Sequence, residues 1–271
     1  MLKIEHNNKI YTIDTKNAID ISIPYNFNGK QPNFYGVNKG TLKPLETNDT
    51  FWSVEKGASC NVPEISMNIH CTGTHTEYVG HLLKNHGDIG NILLHPFLSS
   101  ILISVESTDF VQCHDYYHCN IQNNEKVVTK DAIKTKLKKW EKYKPSTLII
   151  RTMPNNDHKK SLKYDRFYPT FLTNNALQYI VKNNIKHLIV DLPSVDRMND
   201  NGILGNHRIF WGNGINPNGN INPNSKKTIT ELAYIPNSVI DGFYFVNIQI
   251  PHFACDAAPS RPLLFKPIND I

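Results

Sequence analysis

Short apolar runs rich in β-branched residues follow one another after residue 100, and they restrict the fold of this 271-residue chain more than any other feature. The runs read ILISV (101–105), STLIIRT (146–152), HLIVDL (187–192) and GFYFVNIQI (242–250). Each has the length and composition typical of a buried strand. Helical periodicity precedes two of them, over residues 130–143 and 173–184. This alternation predicts an α/β fold: one mixed-sheet domain over residues 1–271, with helices packed around a β core.

The two helical segments are amphipathic. Their apolar positions are Ile133, Leu137 and Trp140 in the first segment, and Leu177, Ile180 and Val181 in the second. In the first, the lysines fall on the opposite face. Because no arginine or aromatic residue alternates with them, a solvated face is favoured over a nucleic-acid patch. In the second, Thr173 is the predicted N-cap.

Charge and composition exclude several classes of protein. The chain has 29 Lys and Arg against 24 Asp and Glu, a net charge of +5 that is too small to predict a nucleic-acid partner. We find no signal peptide and no apolar stretch long enough to span a membrane. Five cysteines, an odd number, do not indicate a disulfide framework. We therefore expect a cytoplasmic protein with reduced thiols that binds neither nucleic acid nor membrane.

The segment HCTGTHTEYVGH, which begins at residue 70, concentrates groups that can bind a metal. In an extended chain, residues two apart point to the same side, so His75 and Glu77 can aim at one point. Cys71 lies four residues before His75, and His81 four after Glu77; both can join them if the chain bends at a glycine. Imidazole and carboxylate suit zinc, manganese or iron, and a thiolate would favour zinc. The alternative is a polar loop whose histidines only form hydrogen bonds.

This segment resembles the metal-binding motif of the cyclase-like metal-dependent hydrolases, the family of bacterial kynurenine formamidase and isatin hydrolase. The motif runs His-x-Gly-Thr-His-x-Asp-x-x-x-His. Aligned on Gly-Thr-His, its metal-binding positions fall on Cys71, His75, Glu77 and His81. Further resemblances follow in order: LIIRT (148–152), HLIVDLPSVDR (187–197), GNHRIF (205–210), TITELAYI (228–235) and PHFACDAAPSRPLLF (251–265).

The resemblance implies a swivelling β/β/α fold and a divalent metal, Zn or Mn. His75 and Glu77 would hold it with a third ligand, for which Cys71 and Glu231 are the first candidates. His70 could serve instead if the register shifts by one residue. The implied metal ligands are thus Cys71, His75, Glu77, His207 and Glu231.

The same resemblance implies hydrolysis of an amide, N-formyl or lactam carbonyl in a small molecule, with an aryl formamide such as N-formylkynurenine as the substrate class. His81 would transfer a proton between water and the leaving nitrogen. His207 would bind a second metal or act as an acid, and Glu231 would complete the metal shell or bridge two ions. The family also implies a homodimer or larger homo-oligomer. The competing hypothesis is a non-catalytic protein that binds a metal or small ligand.

Each implied residue also has a structural interpretation. Cys71 could be a small buried hydrophobe. His207 could be a surface histidine in a short loop. Glu231 could close a Thr-Ile-Thr-Glu helix-capping pattern that starts at Thr228. Asp196 follows a predicted strand end, where either a binding group or an Asx-turn is typical.

A second cluster, CHDYYHC (113–119), places His114 and His118 four residues apart. On a helix the two would form a metal-binding face. The segment follows a β-run and has no counterpart in the resemblance, so an inserted surface loop is favoured. No function is assigned to it from the sequence.

Four aromatic residues near the N-terminus are candidates for an aryl pocket: Phe34, Tyr35, Phe51 and Trp52. Core packing is the more usual role of such side chains. The densest turn-forming stretch of the chain, residues 213–227, is predicted to be a loop.

Overall fold

The computed structural model describes residues 1–85, 87–93, 95–212, 214–216 and 221–268. Within these residues the chain forms 18 strands and three α-helices. The strands are β1 Leu2–His6, β2 Lys9–Ile13, β3 Ile19–Asp20, β4 Thr41–Pro44, β5 Glu46–Thr47, β6 Thr50–Phe51, β7 Pro63–Ser66, β8 His75–Tyr78, β9 Leu98–Glu106, β10 Thr108–Asp109, β11 Lys126–Val128, β12 Thr147–Met153, β13 Phe171–Leu172, β14 His187–Val190, β15 Thr228–Glu231, β16 Gly242–Gln249, β17 Ala257–Pro259 and β18 Arg261–Phe265. The helices are α1 Lys130–Leu137, α2 Asn174–Lys182 and α3 Gly205–Trp211. The loop predicted over 213–227 falls partly on residues 213 and 217–220, which lie outside the described residues.

A nine-stranded mixed sheet organises the molecule, in the order β17-β8-β15-β14-β12-β9-β16-β18-β3. Its four central strands, from β15 to β9, run parallel, and antiparallel strands extend the sheet on both sides. Each of the four predicted β-runs contributes a strand to this sheet. The predicted mixed α/β fold is therefore confirmed. The extent of a single domain over the whole chain stays a prediction.

The helices cover one face of the sheet. In α2, Leu177 and Ile180 are fully buried in the larger apolar core, together with Ile133 of α1. The predicted N-cap of α2 is confirmed, because Thr173 Oγ1 accepts a hydrogen bond from the Ala176 amide at 3.1 Å. The first predicted helix is shorter than expected: α1 ends at Leu137, and the chain continues as a 3₁₀-helix over Lys138–Tyr143.

One interpretation of local structure is wrong. Thr228–Glu231 is strand β15 rather than the start of a helix, so Glu231 does not belong to a capping box. All four residues of β15 are buried, so Glu231 lies inside the protein. Residues 113–119 contain no α-helix, which agrees with the favoured loop and excludes a shared helical face for His114 and His118.

The segment from β4 to β7 forms an exposed double hairpin. Strands β4 and β7 are almost entirely exposed. Phe51 is 40% exposed, and the neighbouring Trp52 donates a hydrogen bond to Thr47 within the same hairpin. These two aromatic residues are therefore not core residues. No helix of the described residues is long and apolar enough to cross a membrane.

Candidate metal centre

Three antiparallel strands at one end of the sheet bring the first site residues together. In β8, His75 lies opposite Glu231 of β15 on one side and Pro259 of β17 on the other. His75 and Glu77 are two residues apart in the strand and therefore project to the same side, as the sequence predicts. Both side chains are buried. The register of β8 against β15 thus creates an imidazole–carboxylate pair from residues 156 positions apart.

The tautomer of His75 is fixed by the turn that precedes its strand. His75 Nδ1 donates a hydrogen bond to the Gly73 carbonyl at 3.0 Å, which leaves Nε2 as a lone-pair donor. Nε2 is buried, has no hydrogen-bond partner and lies 3.6 Å from Glu231 Oε2. The turn also depends on a glycine, since a Cβ at Gly73 would approach the Tyr25 ring to 2.5 Å. This orphaned nitrogen is the arrangement expected of a metal ligand.

Glu77 is the hub of the centre. Its Oε1 lies 2.8 Å from His207 Nε2, and its Oε2 lies 3.0 Å from His70 Nδ1 and 3.9 Å from His81 Nε2. Burial opposes ionisation of Glu77, but the nearby histidines outweigh it and hold its pKa well below the usual value. Glu77 is therefore a buried carboxylate, and such a charge needs a cationic partner.

His207 is buried in α3 rather than exposed in a loop, so its interpretation as a surface histidine is wrong. Its Nδ1 donates to Asp196 Oδ2 at 2.7 Å, and its Nε2 lies 3.6 Å from Glu231 Oε1. Burial opposes protonation, but Glu77 and Asp196 hold the pKa of His207 well above its usual value. The Val195 amide donates to Glu231 Oε1 at 2.7 Å and orients that carboxylate.

A second pair of histidines lies on the more accessible side of Glu77. His81 Nδ1 donates to Asp256 Oδ2 at 2.9 Å, and His70 Nε2 lies 3.1 Å from the same oxygen. Burial lowers the pKa of His70, but its contacts with Asp256 and Glu77 raise it to about 10. The His70 and His81 side chains are 28% and 26% exposed, so solvent and small molecules can reach them.

Two overlapping groups of ligand atoms share Glu77. One comprises His70, Glu77 and His81, and the other comprises Glu77, His207 and Glu231; within each, the atoms lie within 4.8 Å of one another. Imidazole nitrogen and carboxylate oxygen in this ratio suit zinc, manganese or iron. The orphaned His75 Nε2 faces Glu231 beside the second group. The residues present therefore fit a divalent metal.

Cys71 takes a different position from the other motif residues. Among the described residues it belongs to no group of converging ligand atoms. It is buried with Phe34, Tyr164 and Leu232 in a small apolar cluster. Burial raises the pKa of its thiol to about 11, and Glu231 adds to this shift. The structure thus brings His75, Glu77, His207 and Glu231 together as the sequence predicts, and adds His70 in place of Cys71.

Asp256 is a residue that the sequence reasoning missed. It lies in the quoted segment PHFACDAAPSRPLLF, 175 positions from His81, and nothing in the spacing connects them. Asp196, by contrast, was considered as a binding group, and it does contact His207. Arg151 of the segment LIIRT and Asp191 of HLIVDLPSVDR have partners outside the centre. Arg151 donates to the Pro236 and Val239 carbonyls, and Asp191 pairs with Lys159 at 2.8 Å.

Comparisons with known proteins identify the relatives of this chain. Residues 19–197 match the family described as "Putative cyclase". A kynurenine formamidase of Bacillus thuringiensis subsp. konkukian is 26% identical over 201 residues, which cover 72% of this chain and 78% of that protein. A kynurenine formamidase of Bacillus cytotoxicus is 23% identical over 157 residues, or 58% of this chain. The match spans 63% of the length of the latter relative.

Solved structures with the same fold extend the comparison to nearly the whole chain. One, described as a potential metal-dependent hydrolase with cyclase activity, has a TM-score of 0.58 at 17% identity and covers 92% of this chain and 97% of its own. An isatin hydrolase bound to the product analogue thioisatinate has a TM-score of 0.57 at 12% identity, with 92% of each chain covered. At these identities the likeness establishes the fold alone.

Proposed function

Because this chain belongs to the cyclase family, we propose that it is a metal-dependent hydrolase that cleaves an amide, N-formyl or lactam carbonyl of a small molecule. The observation that carries the proposal is the convergence of Glu77, His207 and Glu231, whose buried ligand atoms lie within 4.8 Å of one another, with His75 Nε2 3.6 Å from Glu231 Oε2. The orphaned His75 Nε2 supports it further. A divalent ion bound there, zinc or manganese, contributes Lewis acidity towards a carbonyl oxygen and towards water.

Each of the buried candidate ligands His75, His207 and Glu231 forms a hydrogen bond that fixes its orientation. His75 is held through Gly73, His207 through Asp196, and Glu231 through the Val195 amide. Such contacts fix the orientation of the ligating atoms and increase their basicity. These residues therefore bind and orient, and none of them is free to move far during a reaction.

His81 is the residue best suited to move a proton. Its Nδ1 donates to Asp256, which leaves Nε2 as the basic atom on the accessible side of Glu77. We assign to Nε2 the removal of a proton from the attacking water and its return to the leaving nitrogen. Asp256 sets the tautomer of His81.

An aryl formamide is the favoured substrate class. Phe34 and Tyr35 pack with their ring centroids 4.1 Å apart, beside Cys71. Burial raises the pKa of Tyr35 to about 12. Phe34 packs with Cys71 and with Leu232, the residue that follows Glu231. Phe34 and Tyr35 thus support an aromatic wall, whereas Phe51 lies in the exposed hairpin.

The first experiment measures metal and activity together. Protein purified without chelator is dialysed and its metal content is determined by inductively coupled plasma mass spectrometry. Hydrolysis is then assayed on formanilide, N-formylkynurenine and isatin. We expect at least one divalent ion per chain and hydrolysis of the formamides. Removal of the ion with a chelator should abolish this hydrolysis. Bound metal with no turnover across the panel would favour the non-catalytic binding protein.

The second experiment separates proton transfer from metal binding. His81→Ala is expected to lower kcat by about a hundredfold or more while the metal bound at Glu77 stays. His252→Ala is the matched control, because that histidine also pairs with an aspartate, Asp88, but is 67% exposed. Full activity of the His81 variant would refute the proton-transfer role.

A further inference from the structure

A second group of metal-binding side chains lies behind the centre, on the far side of His207. His118, Asp196 and Asp200 offer ligand atoms that all lie within 4.8 Å of one another. His118 comes from the segment CHDYYHC, to which no function is assigned from the sequence. Its side chain is 2% exposed, so it is not the surface histidine that an inserted loop would carry.

A chain of amide hydrogen bonds fixes the tautomer of His118. Asn206 Nδ2 donates to two backbone carbonyls, those of Leu172 and Val195, so Asn206 Oδ1 must act as an acceptor. Asn174 Nδ2 donates to that oxygen at 2.7 Å, which turns Asn174 Oδ1 towards His118. His118 Nδ1 lies 3.2 Å from Asn174 Oδ1 and must therefore donate to it. The available lone pair of neutral His118 is on Nε2.

That nitrogen is buried and has no hydrogen-bond partner. It lies 3.4 Å from Asp200 Oδ2. A lone pair this close to a carboxylate oxygen is repulsive unless a cation lies between the two or the ring carries a second proton. At the centre, His75 Nε2 likewise lies close to a carboxylate oxygen, 3.6 Å from Glu231 Oε2. The buried pair of His118 and Asp200 therefore calls for a positive charge.

The arginine nearest to Asp200 in sequence is already paired with another carboxylate. Arg197 forms a two-pronged pair with Glu125 at 2.7 Å through both Nε and Nη2. Within the described part of the chain, the ion pairs of Asp200 include no lysine or arginine. Among the described residues, the other hydrogen bonds to the Asp200 carboxylate come from the backbone amides of Gly202 and Leu204, one to each oxygen. Each oxygen therefore keeps a lone pair that can bind a cation.

Asp196 closes the group and connects it to the centre. Its Oδ1 accepts from the Tyr117 hydroxyl at 2.9 Å and from the Asn206 backbone amide at 2.8 Å. Its Oδ2 accepts from both the backbone amide and Nδ1 of His207, at 3.2 Å and 2.7 Å. Ligating carboxylates are commonly hydrogen-bonded in this way. Room for the ring of His118 is provided by Gly205, where a Cβ would approach it to 2.3 Å.

We propose that His118, Asp196 and Asp200 form a second divalent-cation site, separate from the centre at Glu77. The donor set of one imidazole and two carboxylates suits zinc or manganese. The site is enclosed, which is typical of an ion that stabilises structure rather than one that reacts. Its ion ties residues 113–119 to the turn before α3 and holds the carboxylate that orients His207. The proposal does not depend on the reaction catalysed at the centre.

Zinc alone is the probe for the test. Crystals of the full chain grown with zinc are measured on both sides of the zinc absorption edge. We expect an anomalous peak between His118 Nε2 and Asp200 in addition to any peak at Glu77. A peak at Glu77 with none at His118 would overturn the proposal, and would mean that a protonated His118 pairs with Asp200 instead. Because the wild-type protein is used, this result does not depend on the folding of a variant.

Variants test the same site in solution. His118→Gln and Asp200→Asn are each expected to lose one zinc equivalent per chain after dialysis against buffered zinc. His114→Gln is the matched control, since this histidine is in the same segment but is exposed. Folded variants that keep the wild-type number of zinc equivalents would contradict the site, and circular dichroism establishes that they are folded.

Discussion

The centre around Glu77 and the group around His118 share one arrangement of histidine and carboxylate but differ in solvent accessibility. In both, an acceptor fixes Nδ1 of a buried histidine, and the orphaned Nε2 faces a carboxylate. At the centre, His70 and His81 are 28% and 26% exposed. In the other group, His118 and Asp200 are 2% and 5% exposed.

The difference indicates which group can perform chemistry. A reacting site needs an open position for substrate, whereas a structural site is closed by protein ligands. His81 and His70 provide the open side of the centre, and both are held by Asp256. No comparable exposed residue belongs to the group at His118 among the described residues. The same ligand chemistry can therefore serve two purposes in one fold.

Removal of the shared carboxylate is expected to have the largest effect. Glu77→Gln keeps the shape of the side chain but removes the charge around which three histidines converge. We expect kcat/KM on formanilide to fall by about a thousandfold or more, since metal catalysis contributes several kcal/mol. Zinc at the centre should be lost, and zinc at His118 should be retained.

The control for this prediction is Glu46→Gln, which changes an exposed carboxylate in the outer hairpin and should leave both quantities unchanged. Undiminished activity of Glu77→Gln would exclude Glu77 as the hub. Loss of zinc from both the centre and the group at His118 would mean that the two groups do not bind metal independently.

The next largest effect is expected from Asp256→Asn. His81 Nδ1 would lose its charged acceptor, so the tautomer with a basic Nε2 would no longer be enforced. Loss of such an orienting carboxylate typically costs 10- to 100-fold in activity, and we expect a decrease of about this size in kcat with little change in KM. Steady-state kinetics and zinc content measure it, with Asp88→Asn as the control on the more exposed His252 pair. A change in KM alone would argue that Asp256 binds substrate instead.

A smaller effect, on stability, is expected at Gly205. In Gly205→Ala the new Cβ would lie 2.3 Å from the His118 ring, which must move. Such overpacking costs about 1–3 kcal/mol. We expect a lower urea midpoint and loss of the zinc equivalent at His118. Gly242→Ala is the control, because its Cβ would meet only atoms 3.8 Å away. Equal stability of the two variants would contradict the close fit of His118.

The fold follows from local sequence more directly than the site does. Runs such as ILISV and HLIVDL predict strands because β-branched side chains pack well on a buried sheet. Their order in the sheet depends on long-range pairing, such as that of β8 with β15, which no local pattern encodes. Helix α1 is shorter than its apolar periodicity predicts because its C-terminal part is a 3₁₀-helix, which is frequent at the ends of α-helices.

Within the site, the predictable part is the part that one strand presents. His75 and Glu77 follow from the two-residue period of β8. Asp256 does not, because it reaches His81 from the other end of the chain. The burial of His118 is not predictable for a related reason: the segment is a loop, as expected, but the contacts that enclose His118 come from Asn174 and Asp200, far along the chain.

The smallest effect is expected at Cys71, the motif position where a cysteine replaces a histidine. Its side chain packs with Phe34, Tyr164 and Leu232, and it is not among the converging ligand atoms. Cys71→Ala should therefore keep both zinc equivalents and lose about 1 kcal/mol of unfolding free energy, the amount expected when one small buried group is deleted. Zinc analysis and urea denaturation measure these quantities, with the exposed Cys60→Ala as the matched control. If Cys71→Ala instead releases zinc from the centre, then the thiolate is a ligand and His70 is not its replacement. In that case His70 would be available to bind substrate beside His81 on the open side of the centre.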